Sequence, residues 1–340
     1  MKVAVLGAGA IGAYMGAALH RGGADVTLIG RGAHLAAMQS GGVTVHSPRG
    51  DFHAWVTATD DPAEVGPVDH VVLGLKAHDY AAAGPMLNPL LAPHTSIIAA
   101  QNGIPWWYFY REGGPHEGRR VEAVDPGGTV SAMLEPRRAI GCVVYCSAEL
   151  EAPGVVQHIE GTRFSIGEPD GSLSGRCAEF SAAMISGGLK CPVEPDIRND
   201  VWIKLLGNVA FNPLSALTRA TMAEIATDPA TRALVTTVMQ ETIDVAEHLG
   251  RRPQVSIERR LSGAESVGAH RTSMLQDLEA DKPLELAPVI GAVVELAELV
   301  DVEIPATFAL YAATALLDRS TTRRSHSQRI PEGNEGRRAP

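Results

Sequence analysis

The chain has 340 residues, 45% of them hydrophobic and 20% charged, and a net charge of −10 at pH 7. That length accommodates two domains of ordinary size, and that composition a substantial core. The acidic balance gives no electrostatic footing for nucleic acid, whose binding leans on lysine and arginine, so a small-molecule protein is expected.

Lys2 and the apolar residues through Leu19 loosely resemble a signal peptide, but Gly7, Gly9, Gly12 and Gly16 would break up its apolar region. The same segment has a better reading as a strand over 3–6, a glycine turn, a helix from about Ala10 and a second strand over 26–29. Gly7, Ala8, Gly9, Ala10, Ile11 and Gly12 then make GxGxxG between strand and helix, the context in which this motif binds a dinucleotide. Gly7 permits the tight turn, Gly9 admits the diphosphate, and Gly12 lets helix and strand pack closely, with the diphosphate on the helix N-terminus. An NAD site usually ends its second strand with an acid. Here Arg31 stands there and Asp25 lies at the wrong end, which points to NADP.

Further strands are expected at "DHVVLGLK" (69–76) and "TSIIAAQNG" (95–103). Lys76 and Asn102 fall at their carboxyl ends, where ligands of such sheets bind. The connection over 104–138 is long and begins with five consecutive aromatics, 106–110. These either anchor the loop to the domain or roof the cofactor's reactive end. Four cysteines, Cys142, Cys146, Cys177 and Cys191, form neither a CxxC pair nor zinc-site spacing, so reduced thiols, a cytoplasmic setting and no metal site are expected.

From about 196 the pattern becomes all-α, with "EPDIRND" (194–200) as the junction. The stretch "DVWIKLLGNVAFNPLSAL" (200–217) is apolar except for Lys204, Asn208, Asn212 and Ser215, which share one stripe of a helix. A surface stripe is one reading. The other is a cavity lined by an ammonium and two amides, suited to an anionic or carbonyl-bearing ligand, because asparagine is a poor mid-helix residue. Apolar helices over 229–250 and 285–300 would permit a homodimer. No segment reaches the roughly 18 to 20 unbroken apolar residues of a membrane span. Residues 319–340 are poor in apolar residues and rich in Ser, Gly, Pro and Arg, and read as a disordered tail.

The order and spacing of "GAGAIG" (7–12), "LKA" (75–77), "QNG" (101–103), "KLLGNVAFNPLSAL" (204–217), "RTSMLQDL" (271–278) and the following "LEL" resemble the ketopantoate reductase (2-dehydropantoate 2-reductase) family over residues 1–318. The resemblance implies an α/β fold: a Rossmann-type, doubly wound parallel sheet over 1–194, then an all-α helical domain over 195–318. It implies NADPH-dependent reduction of a 2-oxo acid, with Lys204 as proton donor, Asn208, Asn212 and Ser273 as substrate-binding residues, and Arg31, Lys76, Asn102 and Glu285 at the cofactor. Glu285 would orient Lys204, Lys76 or a ribose hydroxyl. Chemically the lysine fits, since a positioned ammonium stabilises a developing alkoxide and gives it a proton. Ala287, Ile290 and Met222 stand where the family commonly has an aspartate or asparagine, and His270 where some members have an asparagine, so a bulkier 2-oxo acid or ketone is an alternative substrate. A non-catalytic NADP-binding sensor would need none of the lysine, asparagine, serine and glutamate set.

Overall fold

The structure, a computed structural model, describes residues 1–329. Its strands are β1 (Lys2–Leu6), β2 (Asp25–Ile29), β3 (Val43–His46), β4 (Phe52–Ala54), β5 (Thr57–Thr59), β6 (Val68–Leu73), β7 (Leu91–Ala99), β8 (Ala139–Ala152) and β9 (Val155–Gly167). The helices of this half are α1 (Ala10–Arg21), α2 (Gly32–Gly41), α3 (Pro62–Val65), α4 (Tyr80–Leu87), α5 (Thr129–Met133) and α6 (Gly175–Ser186). The strands form one sheet in the order β4, β3, β9, β8, β7, β6, β1, β2, β5.

Six strands, β8, β7, β6, β1, β2 and β5, pair in parallel. The inner ones, β1, β6 and the paired stretches of β7 and β8, are covered on both faces and read largely as apolar runs rather than as alternating ones. In β1, Val3 and Val5 point into a core shared with α1 and α6, while Ala4 and Leu6 point into a second core on the opposite face. The sheet is nevertheless mixed. β8 and β9 form an antiparallel hairpin across Pro153 and Gly154, and β4 pairs antiparallel to β3. Gly154 turns the hairpin at φ +78°, and so tight a turn can join only antiparallel strands.

The second half is helical: α7 (Ile197–Thr218), α8 (Met222–Thr227), α9 (Pro229–His248), α10 (Ile257–Ser266), α11 (Ser273–Glu279), α12 (Ala292–Leu299) and α13 (Pro305–Arg329), with one π turn over Ala287–Gly291 before α12. The tail expected from residue 319 is thus corrected in part: α13 carries the helix on to Arg329, and residues 330–340 lie outside the described residues. Among the described residues no helix is long and apolar enough to cross a membrane.

α7 organises this half. The Asp196 carboxylate caps its N-terminus by accepting from the Asn199 N–H at 3.2 Å. It ends at Arg219, whose left-handed backbone (φ 64°) terminates it. Packed against α9, α11, α13 and β8, it buries Val201, Trp202, Leu205, Leu206, Val209 and Phe211.

The aromatic run 106–110 joins the halves instead of roofing a pocket. Trp106, Trp107, Tyr108 and Phe109 are all 5% exposed or less and lie in the core that runs from the sheet into the helical half. Polar atoms fix them there: Trp106 Nε1 donates to the Leu134 carbonyl at 2.7 Å, and Trp202 Nε1 donates to the Tyr108 hydroxyl at 2.6 Å. The buried Arg198 of α7 donates to the carbonyls of Tyr108 and Tyr110, both at 2.6 Å, with its guanidinium 5.5 Å above the Trp107 ring. Anchoring is therefore the correct reading of this segment, because its indole and phenol groups find partners only inside the protein.

Candidate active site

A cleft of ≈ 650 Å³ opens off the carboxyl ends of β1, β6 and β7 and is faced by the helical half. On the sheet side it is lined by Gly9, Ala10, Ile11, Gly74, Lys76 and Asn102, and across from them by Ser273, Asp277 and Glu285. The β8–β9 hairpin adds Glu149 and Leu150.

The glycine turn divides its labour as its spacing predicts. Gly7 takes φ +94°, which L side chains resist. A Cβ on Gly12 would strike the Gly7 carbonyl oxygen, so this residue sets how closely α1 approaches β1. A Cβ on Gly9 would meet nothing within 4 Å and would project into open space at the start of α1. No side chain caps that helix, so its first N–H groups remain available to an anion. The room that a Gly9 Cβ would take, at the start of an uncapped helix, fits a dinucleotide diphosphate. Arg31 sits two residues beyond β2, exposed, with no ion pair or hydrogen bond to its guanidinium among the described residues.

The polar stripe of α7 is explained piece by piece. Lys204 Nζ donates to Asn102 Oδ1 at 2.7 Å, and Asn102 Nδ2 donates to Glu285 Oε2 at 3.0 Å. The amide thus links the lysine to the carboxylate, and Glu285 reaches Lys204 through Asn102. Burial pushes the Lys204 ammonium down from 10.5 to about 8, partly offset by the negative charge of Glu285. At the far end of the stripe Ser215 and Thr272 share a hydroxyl hydrogen bond of 2.5 Å, which ties α7 to the N-cap of α11. Asn208 and Asn212 lie on the turns between. Asn212 is 6% exposed, and neither carboxamide hydrogen-bonds to a described residue.

Not every expected residue lines the cleft. Gly7, Ala8 and Gly12 pack behind the turn, Lys204 stands behind Asn102, Asn208 and Asn212 lie farther along α7 outside the cleft lining, and Arg31 lies outside on the β2 side. Three departures singled out in the sequence have structural places: Ile290 is wholly buried in the π turn, Met222 begins α8, and the His270 carbonyl accepts the Met222 N–H at 3.0 Å. One residue escaped the sequence reading. Asp277, within "RTSMLQDL", meets the Lys76 ammonium across the cleft. Its only sequence signal is its place four residues after Ser273, on one face of α11.

The cysteines are all free. Burial pushes the Cys142 and Cys146 thiols up to about 12, so neither is a thiolate nucleophile near neutral pH. No group of His, Cys, Asp and Glu side chains suited to a metal ion occurs among the described residues.

Comparison with known families gives two matches: "Ketopantoate reductase PanE/ApbA" over residues 3–171 and "Ketopantoate reductase PanE/ApbA C terminal" over 196–318. The chain belongs to the ketopantoate reductase family. It is similar to the 2-dehydropantoate 2-reductase of Mesorhizobium japonicum, with 47% identity over 92% of this chain and 96% of that one. Among solved structures it resembles a putative ketopantoate reductase from Ralstonia solanacearum MolK2, with TM-score 0.87 and 35% identity over 94% and 98% of the two chains. It also resembles 2-dehydropantoate 2-reductase from Methylococcus capsulatus, with TM-score 0.81 and 26% identity over 95% and 98%. Like the rest of the ketopantoate reductase family, the protein is a nicotinamide-dependent oxidoreductase acting on a CH–OH group.

The glycine turn generates a paired prediction. Gly9→Ala should keep the wild-type melting temperature and weaken nicotinamide-cofactor binding by about tenfold or more, about 1.4 kcal/mol. Gly12→Ala should lower the melting temperature itself. Thermal melts with cofactor titrations check both; a Gly9→Ala protein that binds cofactor normally would show that the cradle is not the diphosphate site.

Proposed function

We propose that the protein reduces 2-dehydropantoate to (R)-pantoate with NADPH, the reductive step of pantothenate biosynthesis. The observation that carries this reading is Lys204: an ammonium brought to about 8 by burial and held by Asn102, which itself lines the cleft beside the glycine turn. The relative at 47% identity bears the corresponding name.

A nicotinamide cofactor held along Gly9, Lys76 and Asn102 would supply the hydride that the 2-oxo carbon accepts. Lys204 donates a hydrogen bond to the 2-oxo oxygen and passes it a proton as negative charge grows there. Asn102, fixed by Glu285, holds the ammonium in place while leaving its other two N–H bonds free. Asn208 and Asn212, with unspent amide capacity, and the Ser273 hydroxyl grip the carboxylate and hydroxyl oxygens without adding charge. Arg31, a cation past the end of β2 with no partner among the described residues, takes the 2′-phosphate. The aromatic run lies in the core and so shapes no pocket for a bulkier substrate; that alternative rests on Ala287, Ile290, His270 and Met222.

Lys204→Ala should still bind NADPH, whose phosphates are held by the other half, and lose about 10² to 10⁴ in kcat. In the wild type kcat should be full below pH 8 and fall as pH rises through about 8, because the lysine must be protonated to act; the variant should lack that limb. Steady-state rates across pH, with melting temperatures to verify folding, check this. A folded Lys204→Ala enzyme with a near-wild-type rate would remove Lys204 from the chemistry.

Arg31→Ala should erode the preference for NADPH over NADH by roughly ten- to a hundredfold, the worth of a charge-assisted contact of about 1.5 to 3 kcal/mol. The ratio of the two cofactor affinities measures it, and an unchanged ratio would refute NADP selection by Arg31.

A further inference from the structure

Lys76 and Asp277 lie in different halves of the molecule, and their ion pair spans the cleft. Lys76 follows β6, three residues beyond its end, and is three-tenths exposed; Asp277 is on α11 and is 14% exposed. Asp277 is the one acid paired with Lys76 among the described residues, and both side chains line the cavity. On α11, Ser273, Gln276 and Asp277 stand at i, i+3 and i+4, and all three line the cleft together with Ala280 at the helix end. The opposite face buries Met274, Leu275 and Leu278. The helix is short, and its N-cap Thr272 is tied to Ser215 of α7. Its position is thus fixed from two sides: by α7 at its start and by Lys76 in its middle.

From this geometry we propose that Asp277 is a positioning residue that couples the two ligand sites. Its carboxylate aims the Lys76 ammonium along the cofactor side of the cleft and, through the same bond, draws α11 across so that Ser273, one turn earlier on the same face, meets the 2-oxo acid. Cofactor contact with Lys76 and substrate contact with Ser273 then each favour the same placement of α11, and coupling of this kind is reciprocal. This inference rests on the proposed 2-oxo acid and NADPH chemistry.

The test is calorimetric titration of the full-length wild type, Asp277→Asn and Asp277→Glu. Each is titrated with NADPH, and with 2-dehydropantoate in the absence and presence of saturating NADP⁺, which cannot reduce it. The wild type should bind the oxo acid at least about fivefold tighter when NADP⁺ is present. Asp277→Asn should bind NADPH several-fold more weakly and bring that ratio close to one, while its melting temperature stays near the wild-type value. Asp277→Glu, which restores the charge, should recover much of both. An Asp277→Asn protein with unchanged NADPH affinity, or with the wild-type coupling ratio, overturns the proposal, as does uniform weakening of both ligands with a lowered melting temperature. Failure of the functional reading looks different: the wild type itself would then bind no oxo acid, while the NADPH titrations would still show the loss in Asp277→Asn.

Discussion

The site depends on keeping one ammonium charged in a place that disfavours charge. Lowering a lysine from 10.5 to about 8 corresponds to roughly 3 kcal/mol carried by the folded state. Because the folded value is the lower one, this cost is present in full below pH 8 and relaxes between about 8 and 10.5, where the folded lysine is neutral and the unfolded one still charged. The apolar surface of α7 offsets it. A helix that buries its own Trp202, Leu205, Leu206, Val209 and Phe211 against the surrounding elements can hold that charge without yielding. The link through Asn102 to Glu285 supplies the hydrogen bonding that burial removes, through a neutral amide, so the acid tempers the lysine without a direct ion pair.

The same requirement explains why the halves are joined as they are. The proposed chemistry requires Lys204 on one half and the glycine turn on the other to keep register to within a fraction of an ångström. Residues 106–110 provide much of that stiffness. Their rings are buried against α7, and Arg198 closes over them with hydrogen bonds to backbone carbonyls and a face-on contact to Trp107. The core continues from the sheet into the helical half, so the cleft is a notch in one packed body. On its far wall α11 buries Met274, Leu275 and Leu278 and adds polar ties at Thr272 and Asp277.

Much of this is written in the sequence where local chemistry is restrictive. GxGxxG at a strand-to-helix turn has few structural solutions, and the structure gives its three glycines three different environments. The α7 stripe was legible because lysine and asparagine are conspicuous on an apolar helix, although the sequence did not show that Ser215 would be spent on Thr272. What stayed hidden was long-range. The direction in which the 106–110 rings point depends on α7, ninety residues later. The pairing of β9 with β3 depends on which edge of the sheet is free. The Lys76–Asp277 contact joins two motifs each explicable alone. Composition also misled at the C-terminus, where a polar, arginine-rich stretch continues an established helix as far as Arg329.

The most direct measurement is the titration of Lys204 itself. The chain has five lysines, Lys2, Lys76, Lys190, Lys204 and Lys282, few enough to resolve by NMR of ¹³Cε-labelled side chains in the cofactor-free protein. One resonance should titrate near pH 8 and be missing from Lys204→Gln. If the resonance missing from the variant titrates near 10.5 instead, α7 holds an ordinary surface lysine and the proton-donor role has no physical basis.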